Sequence, residues 1–454
     1  MSSEEAGRTR APSTEALGRS AATVSVGSMF HRMPLSRVHI KIGIALYAAL
    51  AIESWEMLSL TYIAPAVEAG LRVTAAQLGL VISALFFGMI PGALAWGPIS
   101  DRIGRRATCT WSLAGYGVVT LVGSFSPNYE MLLVTRAVAG FLFAGILTIT
   151  FPYFEELLPV RHRGRLAVYL AAGWPLGMLL AVGITALLGA HEWRGVIIAS
   201  AVASLWVLVI RRWVPESPYW LVQRGRRDEA LTTLRRLGAA DAENLSAQSL
   251  SVPEVRAGSF AALFRGRLGR ITVLQLVVNF LFSWGYWGLQ TWLPTLLEQR
   301  GLSASSSLGF AAISAVFMIP GYVSASWLTG RYGRKKIFVG YVLAAAAGGF
   351  YFANASTLAE LYIGSFVLSF FSLGAWGVWD TWVGEIYPSP VRGLGYSVGF
   401  CGQRVANTIA PSVVGILLAH ASGFSSTVLF IDLFLVATAV FAVVIPETEG
   451  RELA

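Results

Sequence analysis

The chain repeats itself at a fixed distance of 229 residues. Trp55 and Pro65 recur as Trp284 and Pro294, and Met89-Ile90-Pro91-Gly92 recurs as Met318-Ile319-Pro320-Gly321. Arg102, Gly104 and Arg105 return as Arg331, Gly333 and Arg334. Glu156, Pro159, Arg163 and Gly164 return as Glu385, Pro388, Arg392 and Gly393. One offset serves every set. A period this long is not that of a solenoid. It divides the chain into two equivalent half-proteins, each with room for about six membrane helices.

Composition agrees. Of the 454 residues, 55% are hydrophobic and only 13% charged, about half the charge of an average soluble domain. Apolar stretches, each of a length that crosses a bilayer, are expected at 40–66, 76–99, 107–125, 131–154, 166–189, 195–213, 271–296, 306–329, 337–354, 359–384, 394–419 and 425–445. Inside lipid a backbone must satisfy its own hydrogen bonds, so these are helices. The predicted fold is an all-α membrane protein of twelve transmembrane helices in two pseudo-symmetric six-helix bundles.

The net charge of +9 would suit a nucleic-acid partner, but its distribution does not. Of 34 Lys and Arg, 29 fall in the tails, the even-to-odd loops and the span ends that border them, on one side of this topology. Arg72, Arg194 and Arg300 lie on the other side, and Arg136 and Arg404 lie within spans. Such asymmetry places both termini and the long middle loop in the cytoplasm. No basic stripe with interleaved aromatics stands outside the membrane, so no nucleic-acid partner is expected. The bilayer itself is the expected partner. Arg outnumbers Lys 31 to 3, which suits a bacterial inner-membrane protein of a GC-rich genome.

The expected organisation is a disordered cytoplasmic tail over 1–38, a bundle over 39–213, a cytoplasmic linker over 214–270, a second bundle over 271–446 and a cytoplasmic tail over 447–454. Within the linker, Ala230, Leu231, Leu234 and Leu237 recur at helical spacing. They read either as an amphipathic helix lying on the cytoplasmic membrane surface or as a solvated linker helix. Cys109 and Cys401 are far from any CxxC pattern, and no metal site is expected.

Two motifs carry mechanism. Gly97-Pro-Ile-Ser-Asp101-Arg102-Ile-Gly104-Arg105-Arg106 joins spans 2 and 3. Its glycines permit a tight turn, and its Asp can pair with Arg and with a helix end. Glu-x-x-Pro-x-x-x-Arg-Gly, at Glu156–Gly164 and Glu385–Gly393, places an acid and an Arg (Arg163, Arg392) at the cytoplasmic ends of spans 4 and 10. Glu156 and Glu385 would face the Arg-rich turns of the two halves (Arg105, Arg106; Arg331, Arg334). Charges joined in a partly dry gate favour one conformation, and charges parted favour another.

With Pro215–Leu221 and Pro446–Leu453, these motifs resemble the major facilitator superfamily from about residue 38 onward, in its sugar-porter-like branch. That branch includes organic-acid and organic-ion carriers and relatives of the synaptic-vesicle glycoprotein. The resemblance implies a secondary transporter working by alternating access, with the charged turns as its cytoplasmic gate. Gly330 stands where the family usually has Asp, so the latch of the second half should be weaker or rearranged. Span 7 reads Gln275-Leu-Val-Val-Asn279, then Trp284 to Pro294, which resembles organic-acid and organic-ion carriers rather than hexose porters.

Charges within the membrane are the functional candidates. Glu53 and Glu56 share a face of span 1, and Glu53-Ser-Trp-Glu56 resembles the Asp-x-x-Asp of aromatic-acid/proton symporters. Close carboxylates suit proton coupling; one Glu could instead cap a water-filled funnel. Asp380, among Trp376, Trp379 and Trp382, is a second protonation site, a cation contact or a structural partner of an Arg. Arg136 resembles the Arg that modulates acid protonation in proton-coupled relatives, with packing as its alternative. Asp432 reads as a buried hydrogen-bonding or edge position. Arg404, with Gln403, Asn407 and Thr408 at helical spacing, is a carboxylate clamp or a structural partner of Asp380 or Glu53. Trp55, Asn279, Tyr286, Trp287, Gln290, Trp376 and Trp379 are the remaining cavity candidates, with rings able to stack on a flat substrate.

The expected function is proton-coupled symport of a small organic anion, such as an aromatic carboxylate. The alternatives are a proton-coupled exporter of organic cations or drugs, and a transport-dead receptor. The five His lie in tails or at span ends and form no catalytic cluster, and no GxxxxGK[ST] loop is present. The chain is therefore not expected to be an enzyme. A monomer needing no cofactor beyond the proton gradient is expected.

Overall fold

The computed structural model describes residues 24–162, 166, 170, 173–189, 192–242, 245–252, 260–387, 391–419 and 423–448. Twelve long helices dominate it. The first half contains α1 (Arg37–Tyr62), α2 (Ala75–Ile103), α3 (Arg105–Ser124), α4 (Tyr129–Glu156), α5 (Gly173–Leu188) and α6 (Trp193–Trp213, with a 3-10 turn at Ser204–Trp206). The second contains α7 (Gly266–Gln290), α8 (Ala304–Tyr332), α9 (Arg334–Ala353), α10 (Leu358–Ile386), α11 (Arg392–Ala419) and α12 (Phe424–Ala442). Among the described residues nine of these are long and apolar enough to cross a membrane, and α3, α5 and α11 complete the set. Odd-numbered helices start at the side carrying the Arg-rich turns, here the basic face, and even-numbered ones return to it.

Local chemistry sets the helix ends. Thr74 and Gln77 form a capping box on α2, as do Thr357 and Glu360 on α10. Asn128 caps α4 through the Met131 N–H. The turns between α2 and α3 and between α8 and α9 need φ values of +99° at Gly104 and +93° at Gly333, a region open chiefly to glycine. Within the first bundle α2 and α4 approach closely enough that a Cβ on Gly88 or Gly140 would strike the backbone of Ala137 or Leu85.

Two expectations are corrected near the basic face. Residues 1–38 are not all a disordered tail: Val24–Ser25 pairs in parallel with Leu250–Ser251 of the linker, and Val26–Arg32 is helical. Val26, Met29 and Phe30 share one side of that helix and are buried, with Phe30 stacked on Tyr219 at 5.7 Å. The linker helix Arg227–Leu237 has the expected apolar stripe, but protein covers it rather than lipid. Ala230, Leu231, Leu234 and Leu237 are buried, and the Ser36 hydroxyl at the head of α1 donates to the Leu237 carbonyl at 3.2 Å.

Candidate functional site

Helices α2 and α11 form much of the seam between the halves. The Ser83 and Ser412 hydroxyls share a hydrogen bond of 2.7 Å across it, toward the face opposite the basic one. Nearer mid-helix, the Trp287 ring meets Phe86 of α2 edge-on at 5.1 Å and Trp174 of α5 at 5.8 Å. Tyr286 lies edge-on to Trp287 at 5.6 Å and to Trp376 at 6.3 Å, and its hydroxyl and the Trp174 indole N–H are both buried without a hydrogen-bond partner among the described residues. Aromatic rings from four helices thus wall one region.

Arg404 enters this region from α11. It is 7% exposed, and its described side-chain contact is the Met89 sulfur of α2 at 3.9 Å. Glu53 of α1 faces it electrostatically from the other half, 4% exposed, but the two form no ion pair among the described residues. A carboxylate and a guanidinium therefore confront each other across the seam without closing. Nearby, Gln403 and Asn407 are buried with the Gln403 Oε1 and Asn407 Nδ2 unpartnered. Asn407 Oδ1 accepts from the Ser283 hydroxyl of α7. Gln290 and Trp55 are buried too, and the Trp55 indole N–H has no partner.

Glu56 behaves differently from Glu53. Its carboxylate takes the Arg136 guanidinium on one oxygen and the Tyr116 hydroxyl on the other, all inside the first bundle. The expected shared face of Glu53 and Glu56 thus resolves into two separate environments. Asp380 lies nearer the basic face, close to Tyr322 and Tyr396, with one carboxylate oxygen buried and unpartnered. It makes no ion pair with Arg404 among the described residues. Asn279 and Trp379 are bonded to each other at 3.0 Å inside the second bundle, where Trp379 packs on Phe338 at 4.9 Å. The structure gives that pair to packing. Residues missed in the sequence are Phe86, Met89, Tyr116, Trp174, Tyr322 and Tyr396.

At the basic face each half builds the same cluster. Arg105 reaches Asp101 at 2.9 Å and Glu156 at 3.4 Å, and Arg334 reaches Glu385 at 2.9 Å. Glu216 accepts the N–H groups of Arg105 and Arg106 at the start of α3, at 2.8 and 3.2 Å. Glu447 does the same for Arg334 and Lys335 at 3.1 and 3.0 Å. An anion on a helix N-terminus is favoured by the exposed N–H groups and the helix dipole. Burial pushes the Glu216 carboxyl above its ordinary range while the N–H groups of Ser217, Arg106 and Arg105 pull it down. A side chain on Gly104 or Gly333 would collide with these carboxylates. Tyr153 donates to the Pro215 carbonyl at 2.6 Å, and its counterpart Trp382 donates to that of Pro446 at 3.1 Å. These ion pairs each stay within one half. Arg102 is exposed, Gly97 lies open, and the Arg331 guanidinium lies over the Tyr332 ring at 5.7 Å. Arg106 donates to the Arg211 carbonyl. Arg163 and the Arg392 side chain lie outside the described residues.

Two pseudo-symmetric bundles, a duplicated Arg/Glu cluster at the basic face and a polar, aromatic-lined seam fit a membrane transporter. Residues 39–454 match the family model described as sugar (and other) transporter, and the chain belongs to that family, within the major facilitator superfamily. It is 32% identical over 363 residues to the niacin transporter NiaP of Acinetobacter baylyi, covering 79% of this chain and 82% of that one. It is 30% identical over 390 residues to the 4-hydroxybenzoate transporter PcaK of Pseudomonas putida, covering 83% and 85%. The fold matches the partially occluded inward-open xylose transporter XylE from E. coli with a TM-score of 0.77 at 18% identity, over 92% of this chain and 100% of that one. The protein is a multi-pass membrane transporter and not an enzyme.

Proposed function

We propose that this protein is a proton-coupled symporter of a small aromatic carboxylate, acting as a monomer in a bacterial inner membrane with both termini in the cytoplasm. The observation that carries the reading is the unclosed pair of Arg404 and Glu53 across an aromatic-walled seam. A guanidinium with free donors grips a carboxylate in two hydrogen bonds. Flat rings such as Trp287 and Trp376 suit a planar acid. The names of the relatives, a niacin and a 4-hydroxybenzoate transporter, point to the same chemistry.

In this reading Glu53 carries the proton and Arg404 the anion. A carboxylate that arrives at Arg404 competes with Glu53 for the guanidinium, so substrate and proton bind together. Glu56, held by Arg136 and Tyr116, and Asp380, nearer the basic face, are the further acids on the route. The clusters around Arg105 and Arg334 hold the cytoplasmic gate, and their pairing within each half belongs to the conformation in which that gate is parted.

The test is flux into proteoliposomes holding a pH-sensitive dye, with a panel that includes nicotinate, 4-hydroxybenzoate and organic cations. Internal acidification triggered by a carboxylate supports the proposal. Proton release driven by cations would instead indicate an exporter and make Arg404 structural. Binding without flux would indicate a receptor.

A further inference from the structure

Asp432 lies outside the cleft. It sits in α12, 7% exposed, with Oδ1 bonded to nothing. The crevice around it is lined by Gly285 and Leu289 of α7, Gly349 of α9, Leu368 of α10 and apolar residues of α12 itself. No other lining residue titrates or carries charge, so Asp432 is the only ionisable group the crevice holds among the described residues. Gly349 makes the room: a Cβ there would run into the carboxylate. A lone carboxylate in such surroundings is costly, whereas the neutral acid is tolerated.

The crevice backs onto the helix that serves the cleft. A Cβ on Gly285 would fall 2.5 Å from the Leu435 side chain, and one on Gly288 would fall 3.3 Å from Ile431. These two glycines let α7 and α12 seat tightly on either side of Asp432. Tyr286, Trp287 and Gln290, the cleft residues of α7, are their close neighbours in sequence.

We propose that Asp432 is a proton-binding site outside the substrate cleft, and that its occupancy seats α7 against α12 and so couples protons to transport. The neutral acid suits the apolar crevice. The ionised form requires water or a counter-ion, which this lining does not supply and which parting α7 from α12 would admit. The proton is then a ligand with different affinity for two seatings of the cleft helix, which is the condition for coupling. The proposal rests on the symport reading above.

Two measurements test it. Wild type and Asp432→Asn are reconstituted and assayed with whichever of nicotinate and 4-hydroxybenzoate the wild type accumulates. Asn keeps the shape of the protonated acid but cannot release a proton. Asp432→Asn should exchange substrate at the wild-type rate when both sides share one pH. Its accumulation under a one-unit pH gradient should fall about tenfold, the factor that one lost proton represents. In the wild type, a hydrophobic carbodiimide, which reacts with protonated carboxyls, should label Asp432 less as pH rises, and added substrate should alter that profile. Undiminished accumulation in Asp432→Asn overturns the proposal. So does labelling that ignores pH, and this second readout stands if the variant fails to fold. A wild type that accumulates nothing under a pH gradient sinks the symport reading instead, and that trace tells the two failures apart.

Discussion

Two arginines lie buried in the spans, and they live differently. Arg136 of α4 is 5% exposed and bonded to Glu56, which Tyr116 also holds. Arg404 of α11 is 7% exposed, touches only a methionine sulfur among its described side-chain contacts, and faces Glu53 without joining it. A buried charge is tolerated when it is paired and costly when it is not. The first bundle pairs its arginine internally. The second leaves its arginine's partner to come from elsewhere, either Glu53 across the seam or a bound anion. The contrast separates a charge paired inside one bundle from one left open on the seam, where the proposed anion would bind.

The largest expected effect breaks the first arginine. Arg136→Ala strands Glu56 inside the bundle and should cost about 3–5 kcal/mol, read as a lowered melting temperature in detergent. Removing both charges with Glu56→Gln/Arg136→Met should recover most of that loss. If Arg136→Ala melts like the wild type, the Glu56–Arg136 pair does not hold the bundle, and the contrast between the two arginines collapses.

The second effect falls on the ligand rather than the fold. Arg404→Ala should melt near the wild type, because little in the protein depends on it. It should weaken carboxylate uptake by about 10- to 100-fold, the worth of roughly 1.5–3 kcal/mol for a hydrogen bond to a charged group. Arg404→Lys should not restore it, because an ammonium cannot offer the planar fork. Uptake that survives Arg404→Ala would make this arginine as structural as the other.

Much of this arrangement was open to a reader of the chain, and its blind spots have physical causes. The 229-residue offset located both gate clusters, because a duplicated turn needs the same Gly, Arg and Glu spacing each time. Arg404 and Arg136 stood out because charge in a span is expensive. Their opposite fates did not, since spacing along one helix says nothing about which helix packs beside it. Glu53 and Glu56 are three residues apart and so diverge by about 60° around the helix, enough for one to face α4 and the other the seam. Tyr116 and Trp174 went unnoticed because an aromatic in a span ordinarily reads as packing or as an interfacial anchor. The linker helix showed its apolar stripe plainly, but a stripe does not say whether protein or lipid will cover it.

The same contrast of held and released charge recurs at smaller scale in the gate clusters. Arg105 divides itself between Asp101 at 2.9 Å and Glu156 at 3.4 Å. Gly330 takes the place of Asp101 in the second half, and Arg334 there sits on Glu385 at 2.9 Å, with Thr448 donating to the same carboxylate at 2.7 Å. Glu385→Gln should therefore cost more stability than Glu156→Gln, because it weakens the shorter ion pair and disturbs the Thr448 hydrogen bond as well. The difference should be under about 1 kcal/mol, because both pairs are partly open to water. Equal melting of the two variants would mean that the shorter distance carries no extra stability.

The smallest effect sharpens this point by restoring the missing acid. Gly330→Asp places a carboxylate four residues before Arg334, the spacing that Asp101 and Arg105 use. Nothing in the structure crowds a Cβ at Gly330, so the substitution should fold. An exposed pair at this spacing contributes about 0.2–0.5 kcal/mol, and replacing a helical glycine adds to the gain. The informative quantity is the coupling: in the Gly330→Asp background, where a second carboxylate shares Arg334, Glu385→Gln should cost less than it does alone. A double-mutant cycle on melting free energies measures that coupling directly. A cost that stays the same in both backgrounds would show that Arg334 does not redistribute between acids. The difference between the two clusters would then trace to Thr448 rather than to the lost aspartate.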